Sequence, residues 1–190
     1  IDYMAGYLAG AWKGDGTLLK IQRTNGTTQK LYDGFRVRLA GDYEMLDVAQ
    51  RFARDLRFEF LIKPITPSKI YYGCDRAIIA ESKDAFDFIT LLYNRIANAR
   101  STFQYEFIRG FLAGIYDAEG SCTSQGQLRI SNTDHKLLEL VANYLDSFGF
   151  QCTIEKRCLR LRGGYAENLR FIALANPKVK HKKNAVLINK

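Results

Sequence analysis

Apolar residues recur at helical spacing over about 3–14, and the pattern then changes to alternation. Thr17-Leu18-Leu19-Lys20-Ile21-Gln22 runs up to the turn signal Asn25-Gly26, and Phe35-Arg36-Val37-Arg38-Leu39 follows, which predicts a hairpin. Asp42 is placed to cap a helix reaching about Phe58, with Leu46, Ala49, Phe52 and Leu56 along one face. Stretches 58–62 and 70–74 read as a second hairpin around Pro64 and Pro67. Phe86, Ile89, Tyr93 and Ile96 then mark a helix over about 83–99. After a join the order repeats. A helix over about 103–118 leads to Gln127-Leu128-Arg129-Ile130-Ser131. A helix capped by Asp134 follows, with Leu137, Val141, Tyr144 and Phe148 on one side and Gly149 placed to end it. Strands over 151–155 and 158–162 and a helix over 165–175 complete the second half. Each half therefore reads helix, hairpin, helix, hairpin, helix, an α+β plan with an N-terminal half at 1–98, a linker at 99–102 and a C-terminal half at 103–190.

The halves also share a motif. Gly6-Tyr7-Leu8-Ala9-Gly10-Ala11-Trp12-Lys13-Gly14-Asp15-Gly16 returns as Gly110-Phe111-Leu112-Ala113-Gly114-Ile115-Tyr116-Asp117-Ala118-Glu119-Gly120. Glycines four apart lie on one helix face and let two backbones approach closely, so the two copies are expected to pack about a pseudo-twofold axis. That packing would carry Asp15 and Glu119 side by side, at two helix C-termini that themselves carry partial negative charge. Converging negative charge is costly unless a cation sits within it. Mg²⁺ suits oxygen ligands, and ions of this kind can activate water and stabilise the leaving oxygen in phosphodiester hydrolysis.

Composition supports an anionic partner. The 190 residues carry 28 Lys and Arg against 20 Asp and Glu, a formal charge of +8. Cys74, Cys122, Cys152 and Cys158 show no CxxC spacing, and His135 and His181 are the only histidines, which argues against zinc. Free thiols in a reducing, cytoplasmic setting are the expectation. No segment reaches about 18 uninterrupted apolar residues, and no signal peptide is read. The start at Ile1 reads as a trimmed fragment.

Strand alternation gives each hairpin an apolar face and a polar one. Phe35, Val37 and Leu39 oppose Arg36 and Arg38; Leu128 and Ile130 oppose Gln127, Arg129 and Ser131; Leu159 and Leu161 oppose Arg160 and Arg162. Lys20 and Gln22 oppose Leu19 and Ile21 and are assigned to the polar face, with Arg23, Arg76 and Arg157 alongside. The facing of Lys69 and Tyr71 stays open. Arg can bind guanine bidentately and Gln adenine, which suits duplex DNA. Eight strands would span roughly 40 Å.

Leu8 to Gly16 and Leu112 to Gly120 resemble two copies of the LAGLIDADG signature, the second closely and the first with Lys13 in place of the first acid. Nearly the whole chain is similar to the single-chain, archaeal intron-encoded LAGLIDADG homing endonucleases. The resemblance implies two pseudo-symmetric αββαββα halves, each with a saddle-shaped antiparallel sheet. It further implies a monomer that cuts both strands of a long pseudo-palindromic site across the minor groove, leaving 3′ overhangs. Asp15 and Glu119 would hold Mg²⁺ (or Mn²⁺, with Ca²⁺ binding but not supporting cleavage), helped by the carbonyls of Gly14 and Ala118. Asn132 would stand near the attacking water. In the first half Gly41 or a neighbour stands where relatives often have Gln or Asn. Cys122 and Thr133 stand where a relative can carry lysine, so no active-site lysine is assigned. Reduced activity or unequal rates on the two strands would follow. The alternatives are a fold relative without cleavage, an intron RNA maturase or DNA-binding regulator, and a generic basic nucleic-acid-binding domain.

Overall fold

A computed structural model describes residues 1–24, 31–64, 76–99 and 104–188. Two helices form its axis, α1 (Asp2–Asp15) and α4 (Tyr105–Glu119), packed along their small faces. The approach is close enough that only glycine fits. A Cβ on Gly6 would lie 1.9 Å from the Phe107 carbonyl oxygen, and one on Gly110 would lie 2.0 Å from that of Tyr3. Gly10 against Phe111 (2.2 Å) and Gly114 against Tyr7 (2.1 Å) repeat the reciprocity one turn on. Each contact maps onto its mate when the two motif copies are exchanged, which is the expected pseudo-twofold axis.

Both helices pass directly into a strand. In the first half β1 (Gly16–Thr24) and β2 (Leu31–Ala40) form the long hairpin. Helix α2 (Tyr43–Asp55) follows, its N-cap Asp42 accepting the Glu44 N–H at 2.9 Å. Strands β3 (Ile62–Pro64) and β4 (Arg76–Ala80) and helix α3 (Lys83–Asn98) complete it. The second half has β5 (Gly120–Cys122), β6 (Leu128–Ser131), α5 (His135–Ser147), β7 (Cys152–Glu155), β8 (Cys158–Leu161) and α6 (Gly164–Ala175). The antiparallel sheets share one topology, β1-β2-β4-β3 and β5-β6-β8-β7. A single apolar core, containing Trp12, Leu39, Leu46 and Ile78 on one side and Phe111, Ile130, Leu138 and Leu159 on the other, runs through both.

Three expectations change. Residues 58–61 are not strand: Phe58 stacks on Phe88 at 4.6 Å and Phe60 packs on Trp12 at 5.2 Å, so these aromatics turn into the core and the strand starts at Ile62. Its partner β4 starts at Arg76; the expected strand at 70–74, the turn at Asn25-Gly26 and most of the linker lie outside the described residues. Thirdly, the end of the chain is a docked helix, α7 (Lys180–Ile188), with Val179 and Val186 buried. Gly149 (φ +72) does end α5, and Arg57 (φ +65) plays the same part after α2. Cys122, Cys152 and Cys158 are free thiols.

Candidate active site

Asp15 and Glu119 end the two packed helices. Gly14 lies directly on the other helix: a Cβ there would sit 2.5 Å from that of Ala118 and 3.0 Å from Cγ of Glu119. The chain must then turn at once into a strand, and Gly16 and Gly120 permit this because a Cβ would strike the Trp12 carbonyl oxygen (2.3 Å) or the Tyr116 ring (2.1 Å). Burial, and then the negative charge of Asp15, push Glu119 up to about 7, against the opposing pull of the Asn132 amide and Lys182. Burial also raises Asp15, with Lys182 opposing. Asn132 Nδ2 donates to Glu119 Oε1 at 2.6 Å. Asn132 is itself fixed, its Oδ1 accepting the Asp134 N–H (2.8 Å) and its N–H donating to the Arg157 carbonyl (3.1 Å). A groove of about 380 Å³ opens beside this pair, lined by Lys13, Gly14, Glu119, Ser131, Asn132, Thr133 and Arg157.

Lys182, on α7, enters from the other side. Its Nζ donates to the carbonyls of Asp117 (2.6 Å) and Ala118 (2.8 Å) at the end of α4. Burial lowers its pKa, while the charges of Asp117, Asp15, Asp42 and Glu119 support the ammonium. The buried Asp117 carboxylate holds the tail in place, accepting from Tyr7 Oη (2.7 Å) and from the N–H groups of Lys178 (2.7 Å) and Val179 (3.3 Å). The Lys180 N–H bonds Glu44 (2.6 Å), and His181 lies 3.4 Å from Asp42. Sequence reasoning missed this lysine, because a run of four lysines at 178–183 reads as a solvated tail. One signal was present: the motif acid Asp117 sits on the buried stripe of its helix and so requires buried donors.

Residues directly paired across a ladder share a face, and the register sorts the arginines. Arg36 pairs with Leu19 and Arg38 with Thr17 and Ile79, away from the core. Arg129 pairs with Ser121 and Arg160, and Arg160 with Thr153, on the corresponding face of the second sheet, which Ser131 shares. Lys63, which sequence reasoning passed over, joins the first face through its pairing with Ala77. Three assigned residues do not belong there. Lys20 pairs with Phe35 and Gln22 with Asp33, on the side of Val37, and Lys20 is bonded to Asp33 at 3.0 Å. Arg76 shares the Ile78 side and lies 5.0 Å from the Tyr43 ring. Alternation separates the two faces, but only the register says which one meets the helices; in β1 the outward positions are Thr17, Leu19 and Ile21, and Leu19 is 46% exposed. Gln127 and Arg162 line an outer cavity of about 460 Å³ with Arg160. Arg157 borders the acid groove, and Arg23 stands opposite Tyr32 in the ladder. Lys69 and Tyr71 lie outside the described residues.

Residues 106–174 match the LAGLIDADG-like domain family. Over 92% of this chain the fold superposes on 95% of a structure of the homing endonuclease I-DmoI, with a TM-score of 0.69 at 21% identity. The chain is a two-motif LAGLIDADG protein by fold. I-DmoI in complex with DNA and Mn gives the same TM-score at 20% identity, covering 92% of this chain and 96% of that one. Full-length DUF199/WhiA from Thermatoga maritima matches at TM-score 0.61 and 16% identity, over all of this chain and 61% of its own. A search of curated proteins finds no significant sequence match.

In this LAGLIDADG protein the donor set can be tested against the divalent ion that the fold implies. Two carboxylates and the backbone at Gly14 offer the hard oxygen ligands such an ion takes. The Ala118 carbonyl, the fourth expected ligand, is engaged by Lys182. The residues therefore fit the ion on the Glu119 side, and the ammonium stands on the other.

Proposed function

We propose that the chain is a site-specific endonuclease of duplex DNA that acts as a monomer with a divalent metal. The observation that carries this reading is the pair of half-buried acids at the foot of α1 and α4, set between two sheets whose outer faces carry Arg36, Arg38, Arg129 and Arg160. I-DmoI, whose fold this chain shares, has been crystallised with its target DNA in the presence of Mg. Asp15 and Glu119, with the Gly14 carbonyl, would hold Mg²⁺ or Mn²⁺, which when bound supplies an activated water and a counter-charge for the leaving oxygen. Asn132 orients Glu119 and can steady a water in the groove. Lys13 and Arg157 border the same groove and suit a phosphate. Cleavage across the minor groove would leave 3′ overhangs, and Ca²⁺ would bind without supporting it.

A binding protein without cleavage, on DNA or intron RNA, is the second reading, and the Lys182 contacts at the acids favour it specifically. Incubation of a randomised duplex library with Mg²⁺, Ca²⁺ or EDTA, followed by sequencing of cut ends, separates the two. Staggered breaks at one long site with Mg²⁺ alone, abolished by Asp15→Asn or Glu119→Gln with binding retained, are expected. Selective retention without cutting establishes the second reading, and full cleavage by either variant removes that acid from the mechanism.

A further inference from the structure

The motif repeat gives the open groove beside Glu119 a mate. Exchange of the two copies turns Lys13, Gly14 and Glu119 into Asp117, Ala118 and Asp15. The ladders supply the rest: Gly16 pairs with Leu39 and Gly120 with Ile130, so Gly41 stands where Asn132 stands, followed by Asp42 where Thr133 stands. A groove lined by Asp117, Ala118, Asp15, Gly41 and Asp42 is thus the counterpart of the one lined by Lys13, Gly14, Glu119, Asn132 and Thr133.

The two grooves differ in what they hold. Lys182 bonds the carbonyls of Asp117 and Ala118, and its charge acts on Asp117, Asp15 and Asp42 ahead of Glu119. Four of the five residues of the mate groove are therefore partners of this one ammonium. On the open side, Lys13, the counterpart of Asp117, directs its ammonium over the Tyr93 ring at 4.3 Å and leaves the groove clear. The absence of a side chain at Gly41 adds to the difference: a Cβ there would lie 3.4 Å from Asp15 Oδ2, whereas Asn132 reaches Glu119 with an amide.

We propose that Lys182 is the resident cation of the Asp15-side groove, so that α7 leaves one half-site open to a divalent ion and fills the other. Resting on the endonuclease reading, the consequence is that the two strands of a bound duplex meet unequal half-sites, and one is nicked well before the other.

The test begins with metal binding by the full chain without DNA, read as free Mn²⁺ by electron paramagnetic resonance. Lys182→Met should bind Mn²⁺ at least about tenfold more tightly than the wild type or take up a further equivalent, while Lys182→Arg should titrate as the wild type does. Indistinguishable titrations of wild type and Lys182→Met overturn the proposal. Acetylation of the unsubstituted protein, read by mass spectrometry, covers the case of a variant that fails to fold: Lys182 should react at least about tenfold more slowly than Lys183, and equal rates also overturn it. Nicking of a duplex labelled on either strand then reads the consequence, with a strand bias of tenfold or more in the wild type that Lys182→Met reduces. A protein that gains Mn²⁺ on substitution yet cuts no DNA defeats the endonuclease reading and leaves the resident cation standing.

Discussion

Glu119 is the residue at which burial and charge conflict most directly. Its carboxyl is half-buried beside a second acid, and both effects favour the protonated form, up to about 7 against 4.5 for an ordinary glutamate. The folded protein therefore binds this proton more tightly than the unfolded chain does. The sign follows by linkage: stability falls as pH rises from about 4.5 to about 7, and the deficit remains above that range. A shift of this size would correspond to about 3 kcal/mol, which solvent screening of a partly exposed group reduces to on the order of 1 kcal/mol. Glu119→Gln keeps an oxygen for Asn132 and removes the charge, so it should match the wild type near pH 4 and exceed it at pH 8. Urea denaturation at the two pH values checks this, and an equal difference at both would show that the charge is not the cause.

At the scale of elements, legibility in the sequence followed the range of the interaction that fixes each one. Helices α2 and α5 were legible because Asp42 and Asp134 cap them within three residues. The α1–α4 contact was legible because its glycines are spaced on one face. The start of β3 was not, since Phe58 and Phe60 alternate like strand residues and only packing against Phe88 and Trp12 draws them inward. The facing of Lys20, Gln22 and Arg76 depended on a register that no single strand contains. Helix α7 was the least legible, because Lys182 answers to carbonyls 64 and 65 positions earlier. Asp117 is the latch for that element. Asp117→Ala leaves Tyr7 Oη and two buried amides without an acceptor, at a cost of roughly 3 kcal/mol. Hydrogen exchange should show residues 180–188 losing protection ahead of the rest of the molecule. Unchanged protection there would mean that Val179 and Val186 hold the helix without the carboxylate.

At the scale of the whole molecule, the two outer sheet faces carry the excess positive charge, but their arginines are not equivalent. Arg36 is held by Glu81 (2.5 Å) and Arg160 by Glu155 (3.0 Å), whereas Arg129 is aimed by a neutral hydroxyl, Ser121 Oγ at 2.9 Å. A guanidinium held in one direction with its charge uncompensated is the form that discriminates bases, since bidentate contact to guanine needs a fixed plane. Arg162 is exposed at the rim beyond β8, and Lys63 at the edge strand of the first sheet, positions suited to phosphates. Arg129→Ala should therefore cost roughly 1–3 kcal/mol on the preferred duplex, with lost preference confined to one position of the site. Arg162→Ala and Lys63→Ala should weaken binding to all sequences alike and lower the slope of log affinity against log salt by about 1 each. Fluorescence anisotropy across a salt series, on the selected duplex and on a scrambled one, distinguishes these outcomes. If Arg129→Ala behaves like the rim variants, the sheet reads the backbone alone at that strand, and specificity must come from elsewhere on the two faces.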